Sequence, residues 1–283
     1  MSLNKSDWEW EIKPEKSWFG TNLKELFAYK DLLFRLVRKE FLLRYQQTIL
    51  GPLWVLIQPV LTVFVLVIVF NRVMKVPIPD IPPVLFYLSG ITLWTLFSDI
   101  LNGTASTFLA NLDVFNKVYF PRLIAPLSIT FLHCFRFLIQ FSLLLIVFLF
   151  YYFNGIVEID VLRLLWGVPP VLICIGFALG GGLIFSIVTA KYRDLANLLG
   201  MFVSLLMFIC PIFYSMVTVS PTIHWLAYIN PLTPLFEMFR YAFFGIGRFT
   251  GIQLLYSFAF MSLVLFYGVL LFNKKGDQLL DVL

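Results

Sequence analysis

The residues in this sequence that could do chemistry are few, and most of them lie in or beside long apolar runs. Arg136 falls about thirteen residues into a run that starts near Leu123, and Asp99 lies toward the end of an earlier one. A charge in hydrocarbon is costly, so each needs a partner, a water-filled path or a reach to the membrane surface. At about 1.5 Å per residue Arg136 is roughly 20 Å deep, and the two differ by about 10 Å, more than an arginine easily bridges. A structural ion pair or snorkelling therefore ranks ahead of pore lining. A proton or ion relay ranks last, since it wants several acids at one depth. Glu237 and Arg240 are three apart and share a helical face. They suit either a local ion pair or a contact at an outer gate.

The sequence offers little for catalysis. His133 sits within an apolar run and His224 outside one, neither with a partner at metal-ligand spacing. Cys134, Cys174 and Cys210 lie in apolar runs and read as small buried hydrophobes. There is no G-x-x-x-x-G-K-[ST] loop to cradle nucleotide phosphates and no G-x-S-x-G elbow. Asp99, Asp113, Asp194 and Glu237 do not pair by spacing, which speaks against a membrane transferase. Aromatic rings are the remaining candidates, because sugars lay their C–H faces on them. Trp54, Tyr87, Trp94, Phe213 and Tyr214 suit the wall of a conduit, and equally an interfacial belt or core packing.

The elements that must position these groups follow from composition. Of 283 residues 60% are hydrophobic and 13% charged, with 32 Phe, and mean hydropathy is +0.89. That inventory implies an all-α polytopic membrane protein. Crossing a core of about 30 Å takes about 20 residues. Six runs qualify, near 53–72, 84–101, 123–153, 164–190, 195–216 and 252–272. The first begins behind some fifty polar residues and reads as an uncleaved anchor. With both ends inside, the inner segments hold fifteen of the 21 Lys and Arg and the outer ones five, the cytoplasmic bias expected of such chains. The domains are then a tail (1–21), an amphipathic interface helix (22–51) and a six-helix transmembrane domain (52–283).

In the interface helix, Leu23, Leu26, Phe27, Phe34, Val37, Phe41 and Tyr45 form the apolar stripe, with Arg35, Arg38, Lys39 and Arg44 among the charges elsewhere. It is too charged to cross a bilayer and suits the membrane surface or a docking partner. Residues 102–122 read as a cytoplasmic interfacial helix closed by Pro121-Arg122, and 217–250 as re-entrant or surface-lying helices capping the outer mouth. Gly176 and Gly180 have the spacing that lets helices approach closely. They favour packing, within the subunit or across a dimer, over a gating hinge.

The order of motifs is more specific than any one of them. Arg44-Tyr45-Gln46-Gln47-Thr48-Ile49-Leu50-Gly51-Pro52-Leu53-Trp54 precedes Gln58-Pro59; Phe120-Pro121-Arg122, Lys191-Tyr192-Arg193-Asp194-Leu195 and Pro211-Ile212-Phe213-Tyr214 come next. Asn230-Pro231-Leu232-Thr233-Pro234-Leu235 follows, with Glu237 and Arg240. Over nearly the whole chain this resembles the ABC-2 permease family, the membrane subunits of bacterial O-antigen, capsule and teichoic acid exporters. The resemblance leans to the O-antigen branch. It implies a homodimer with a conduit at the subunit interface, and two copies of a separate ATPase that binds ATP and Mg, with no cofactor in this chain. It also implies a cargo on an undecaprenyl-diphosphate-type lipid, surrounding membrane lipid, no nucleic acid and a place in the bacterial inner membrane. Arg35, Arg38, Lys39, Arg44, Lys191, Arg193 and Asp194 would be ATPase contacts, and Asn116, Lys117 and Arg122 an inner gate or headgroup site. Trp54, Gln58, Tyr87, Trp94, Phe213 and Tyr214 would line the conduit, and Glu237 and Arg240 would form the outer gate. The basic face around Arg35 suits acidic ATPase residues, a diphosphate headgroup or anionic lipid heads. The other reading within the class is an exporter of a drug or simple lipid.

Overall fold

The computed structural model describes residues 23–111, 120–217 and 224–280 and is helical throughout, with no strand among them. Two N-terminal helices, α1 (Leu23–Ala28) and α2 (Lys30–Tyr45), are separated by a break at Tyr29. A short 3-10 turn, Gly51–Leu53, leads into α3 (Trp54–Leu66), which runs on as a π-helix, Val67–Val73. The wider turn shows in its hydrogen bonds, Met74 N–H to the Val69 carbonyl at 2.9 Å and Val76 N–H to that of Phe70 at 2.8 Å. Lys75, at φ +50°, and a proline-rich link then return the chain to α4 (Pro83–Ala105).

A helical stretch at 107–111 (α5) follows, then α6 (Ile124–Phe153), the short α7 (Val161–Leu164) and α8 (Val168–Lys191). The last elements are α9 (Asp194–Ile209), α10 (His224–Ile229), α11 (Thr233–Phe244) and α12 (Gly251–Leu280). Local chemistry sets several boundaries. Pro83 opens α4 at a position that needs no amide donor. The Asp160 carboxylate accepts from the amides of Leu162 and Arg163 to cap α7. Gly245, at φ +73°, closes α11 in the left-handed conformation.

Among the described residues, five helical stretches are long and apolar enough to cross a membrane: Gly51–Val73, Pro83–Ala105, Ile124–Phe153, Val161–Lys191 and Gly251–Lys275. The expected run at 195–216 differs: only its first part is helical, in the 16-residue α9. Pro211 ends it, because Cys210 before a proline is held extended, at ψ 145°.

Helix α4 is the central element, buried on nearly every side by α3, α6, α8, α9 and α11. Helices α8 and α12 cross so closely that a Cβ on Gly180 would stand 2.6 Å from the Leu265 backbone. One on Gly176 would meet Met261, and one on Gly182 would stand 2.5 Å from Thr104 Cβ on α4. The glycine run of α8 thus serves packing within one chain, against two neighbours at once.

Two expectations change. On α2 the buried residue is Leu36, which packs with Leu26, Tyr29, Leu32 and Leu33 on Phe120 and Ile124. Phe27 and Phe34 of the predicted stripe point outward, 74% and 63% exposed. Leu26 and Phe41 of the same stripe do pack inward, so the stripe coincides with the inner face only in part. Helix α11 is buried along almost its whole length and is not surface-lying. It sits among α4, α7, α8 and α12.

Candidate functional site

Polar groups inside the bundle form a seam between the antiparallel helices α4 and α6. Thr95, Asp99 and Gly103 recur every four residues on one face of α4. His133, Arg136 and Gln140 occupy the facing side of α6. The Thr95 hydroxyl donates to Gln140 Oε1 at 2.6 Å, and Arg136 Nη1 donates to Asp99 Oδ2 at 2.7 Å. His133 Nδ1 lies 3.5 Å from the same carboxylate oxygen and 3.4 Å from Arg136 Nη1. A Cβ on Gly103 would stand 3.0 Å from His133 Nε2, so the missing side chain leaves room for the imidazole.

The depth count that separated Asp99 from Arg136 is corrected by this register. Helix α4 continues to Ala105, beyond the apolar run, and α6 overhangs it at that end. Pairing Asp99 with Arg136 puts Ala105 opposite residue 130, so α6 overhangs by about six residues, or about 9 Å. The overhang cancels the apparent offset.

Where α2 meets this seam, a cleft of about 250 Å³ opens, lined by Arg44, Tyr45, Trp54, Val55, Gln58 and Arg136. Phe41 packs edge-on to Phe135 at 5.7 Å and anchors α2 there. Arg35, Arg38 and Lys39 are exposed farther back on α2. Arg44 follows Arg35 by nine residues, about two and a half turns, and so points to the opposite side of the helix. Lys191, Arg193 and Asp194 are exposed at the α8–α9 junction. Lys191 lies over the Tyr192 ring, 5.2 Å from its centre. Arg122 is partly buried just before α6, while Asn116 and Lys117 lie outside the described residues.

The six residues expected to line a conduit do not share one surface. Trp54 and Gln58 are exposed on α3, but Tyr87, Trp94 and Phe213 are buried within the bundle of a single chain. Phe213 stacks on Phe70 at 4.9 Å. Tyr214 is partly buried and its hydroxyl donates to the Ile209 carbonyl at 2.6 Å, closing the end of α9. Within a single chain Trp94 and Phe213 are held by ring packing, Tyr214 by its hydrogen bond, and Tyr87 is buried with a hydroxyl that has no hydrogen-bond partner.

At the far end of the bundle Glu237 and Arg240 are 1% and 2% exposed. Arg240 Nη1 stands 3.7 Å from Glu237 Oε1, Nη2 donates to the Ile212 carbonyl at 3.2 Å, and the guanidinium lies 3.7 Å from the centre of the Phe86 ring. Glu237 Oε2 accepts from the Arg248 amide at 2.8 Å. The pair therefore ties α11 to α4, to the break after α9 and to the link before α12. Gly90 permits this: a Cβ there would stand 3.0 Å from Arg240 Nη2. The rows Thr95-Asp99-Gly103 and His133-Arg136-Gln140 were the sequence signal for the seam, each on one helical face. Phe86 and the Arg248 amide had none.

Fold and site together define a polytopic helical membrane protein that pairs Asp99 with Arg136 and Glu237 with Arg240 inside its bundle. The chain belongs to the ABC-2 type transporter family, which it matches over residues 31–244. An O-antigen export system permease protein RfbA of Klebsiella pneumoniae is 30% identical over 266 residues, 93% of this chain and 97% of that protein. A namesake from Myxococcus xanthus is 27% identical over 270 residues, 90% of this chain and 96% of its own. The polysialic acid transport protein KpsM of Escherichia coli is 26% identical over 245 residues, 86% and 92% of the two chains.

Proposed function

We propose that this chain is the permease subunit of an ATP-driven exporter that moves a lipid-linked polysaccharide of the O-antigen kind across the bacterial inner membrane. The observation that carries this reading is the near full-length similarity to O-antigen export permeases of two distant bacteria. The subunit works as a homodimer, with two copies of a separate ATPase supplying the nucleotide site. Its amino terminus, the α8–α9 junction and its carboxyl end face the cytoplasm, and α9 provides the sixth crossing.

Arg35, Arg38 and Lys39 on the outer side of α2, with Lys191, Arg193 and Asp194 on the α8–α9 turn, form the ATPase contact. Their exposure at one end of the bundle supports this. Helix α2 is joined to the spans by its packing on α6 and by the Gly51–Leu53 turn into α3. Closure of the ATPase dimer would therefore tilt α3 and α6 together. The segment around Asn116, Lys117 and Arg122 gates the inner mouth. The Glu237–Arg240 tie holds α11 at the outer one.

The test is an export assay in cells lacking the native permease. Expression of this chain with its ATPase should bring glycan to the outer leaflet, and loss of either subunit should leave lipid-linked polymer inside. Transport of a drug or simple lipid with no glycan movement would overturn the cargo.

A further inference from the structure

Arg44 and Arg136 reach one cleft from different helices, the first from the last turn of α2 and the second from within α6. Arg136 gives Nη1 to Asp99, and its Nε has no hydrogen-bond partner. Two guanidinium groups against one carboxylate leave the cleft a surplus of positive charge. Gln58 and Tyr45 add polar groups on its rim, and Trp54 lays an exposed ring beside them. Below it, α3 presents Leu61, Phe64 and Val65 outward, an apolar wall descending from the cleft along the first span. We propose that this cleft holds the phosphate of a membrane lipid, gripped between Arg44 and Arg136, with the lipid's chains running down α3.

Four features favour that ligand. Arginine forks match phosphate oxygens two at a time. The cleft lies where a surface helix meets the start of a span, the level of lipid headgroups. At about 30 Å³ per water its volume holds about eight, room for a phosphate or diphosphate but not for a sugar chain. Arg44, though exposed, lies on the opposite side of α2 from Arg35 and lines the cleft with residues of α3 and α6. The proposal rests on the membrane reading alone, not on the cargo. Phosphate in this position comes from two sources, a bilayer phospholipid or an isoprenoid diphosphate carrier.

The test titrates the purified full-length chain in neutral detergent, by native mass spectrometry, with dioctanoyl-phosphatidylglycerol and with farnesyl diphosphate. Dioctanoylglycerol and farnesol are the uncharged counterparts. At least one charged probe should bind and its counterpart should not. Arg44→Gln should weaken binding about tenfold or more, the loss of charge-assisted hydrogen bonds, and Arg44→Lys by less. Asp99→Asn/Arg136→Gln, which removes both charges of the part-buried pair, should weaken it as well. Arg35→Gln/Arg38→Gln should leave binding unchanged. Tight binding of phosphatidylglycerol identifies a bilayer lipid; binding of farnesyl diphosphate alone identifies a carrier. Failure of both probes to bind overturns the proposal, as does an equal loss with Arg35→Gln/Arg38→Gln. No transport is measured, so a negative result here leaves the export reading standing, and failed export leaves this site standing.

Discussion

The pair Glu237–Arg240 gives the sharpest quantitative expectation. Both side chains are all but inaccessible, and their charged atoms are 3.7 Å apart. At an effective dielectric of about 20 that separation corresponds to about 4 kcal/mol of attraction, most of it offset by desolvation. Removing one partner leaves the other buried without compensation, a loss of about 3–5 kcal/mol. Arg240→Met should therefore destabilise strongly, since it also takes the cation from the Phe86 face and the donor from Ile212. Glu237→Gln should cost less, because an amide oxygen can still accept from Arg248. The double variant loses the attraction only once, so a double-mutant cycle should return a coupling of about 2 kcal/mol or more. The assay is reversible unfolding in mixed micelles titrated with SDS, followed by circular dichroism. Additive single losses, with coupling below about 0.5 kcal/mol, would refute the claim that the two charges act as a unit.

Other outcomes follow from the same contacts. Gly180→Ala should cost about 1–3 kcal/mol in that unfolding assay, because its Cβ meets the Leu265 backbone. Gly200→Ala, with open space around it in mid-helix, should be neutral or stabilising by up to about 1 kcal/mol. Tyr214→Phe should cost about 0.5–1.5 kcal/mol by removing the hydrogen bond to Ile209. Arg35→Glu/Arg38→Glu should abolish co-purification of the partner ATPase while leaving the unfolding curve in place; undiminished pull-down would exclude that face as the contact.

The helical membrane architecture is legible in the sequence because apolar runs of twenty residues have few other uses. Packing is less so. The glycines of α8 announce a close approach, but only the fold says that Gly180 serves α12 and Gly182 serves α4. The inward face of α2 is obscured by leucine and phenylalanine on several sides of the helix. The Asp99–Arg136 pair requires the stagger between α4 and α6, which local sequence does not carry. Tyr87 and Trp94 have the composition of a binding wall, and only their burial distinguishes packing from lining. Glu237 and Arg240 are legible as neighbours three residues apart. Their tie to Phe86, Ile212 and Arg248 depends on contacts distant in sequence.

The brevity of α9 bears on the lipid around it. Sixteen residues rise about 24 Å, against a hydrocarbon thickness of about 30 Å. Its outward side is apolar, with Leu198, Met201, Phe202, Leu205 and Phe208 all exposed. In the proposed six-span arrangement a helix shorter than the layer would draw the two leaflets together, by about 6 Å along this face. The bilayer beside α9 would then be pinched, and any polar headgroup crossing there would have a shorter dielectric barrier to traverse than elsewhere on the protein's perimeter.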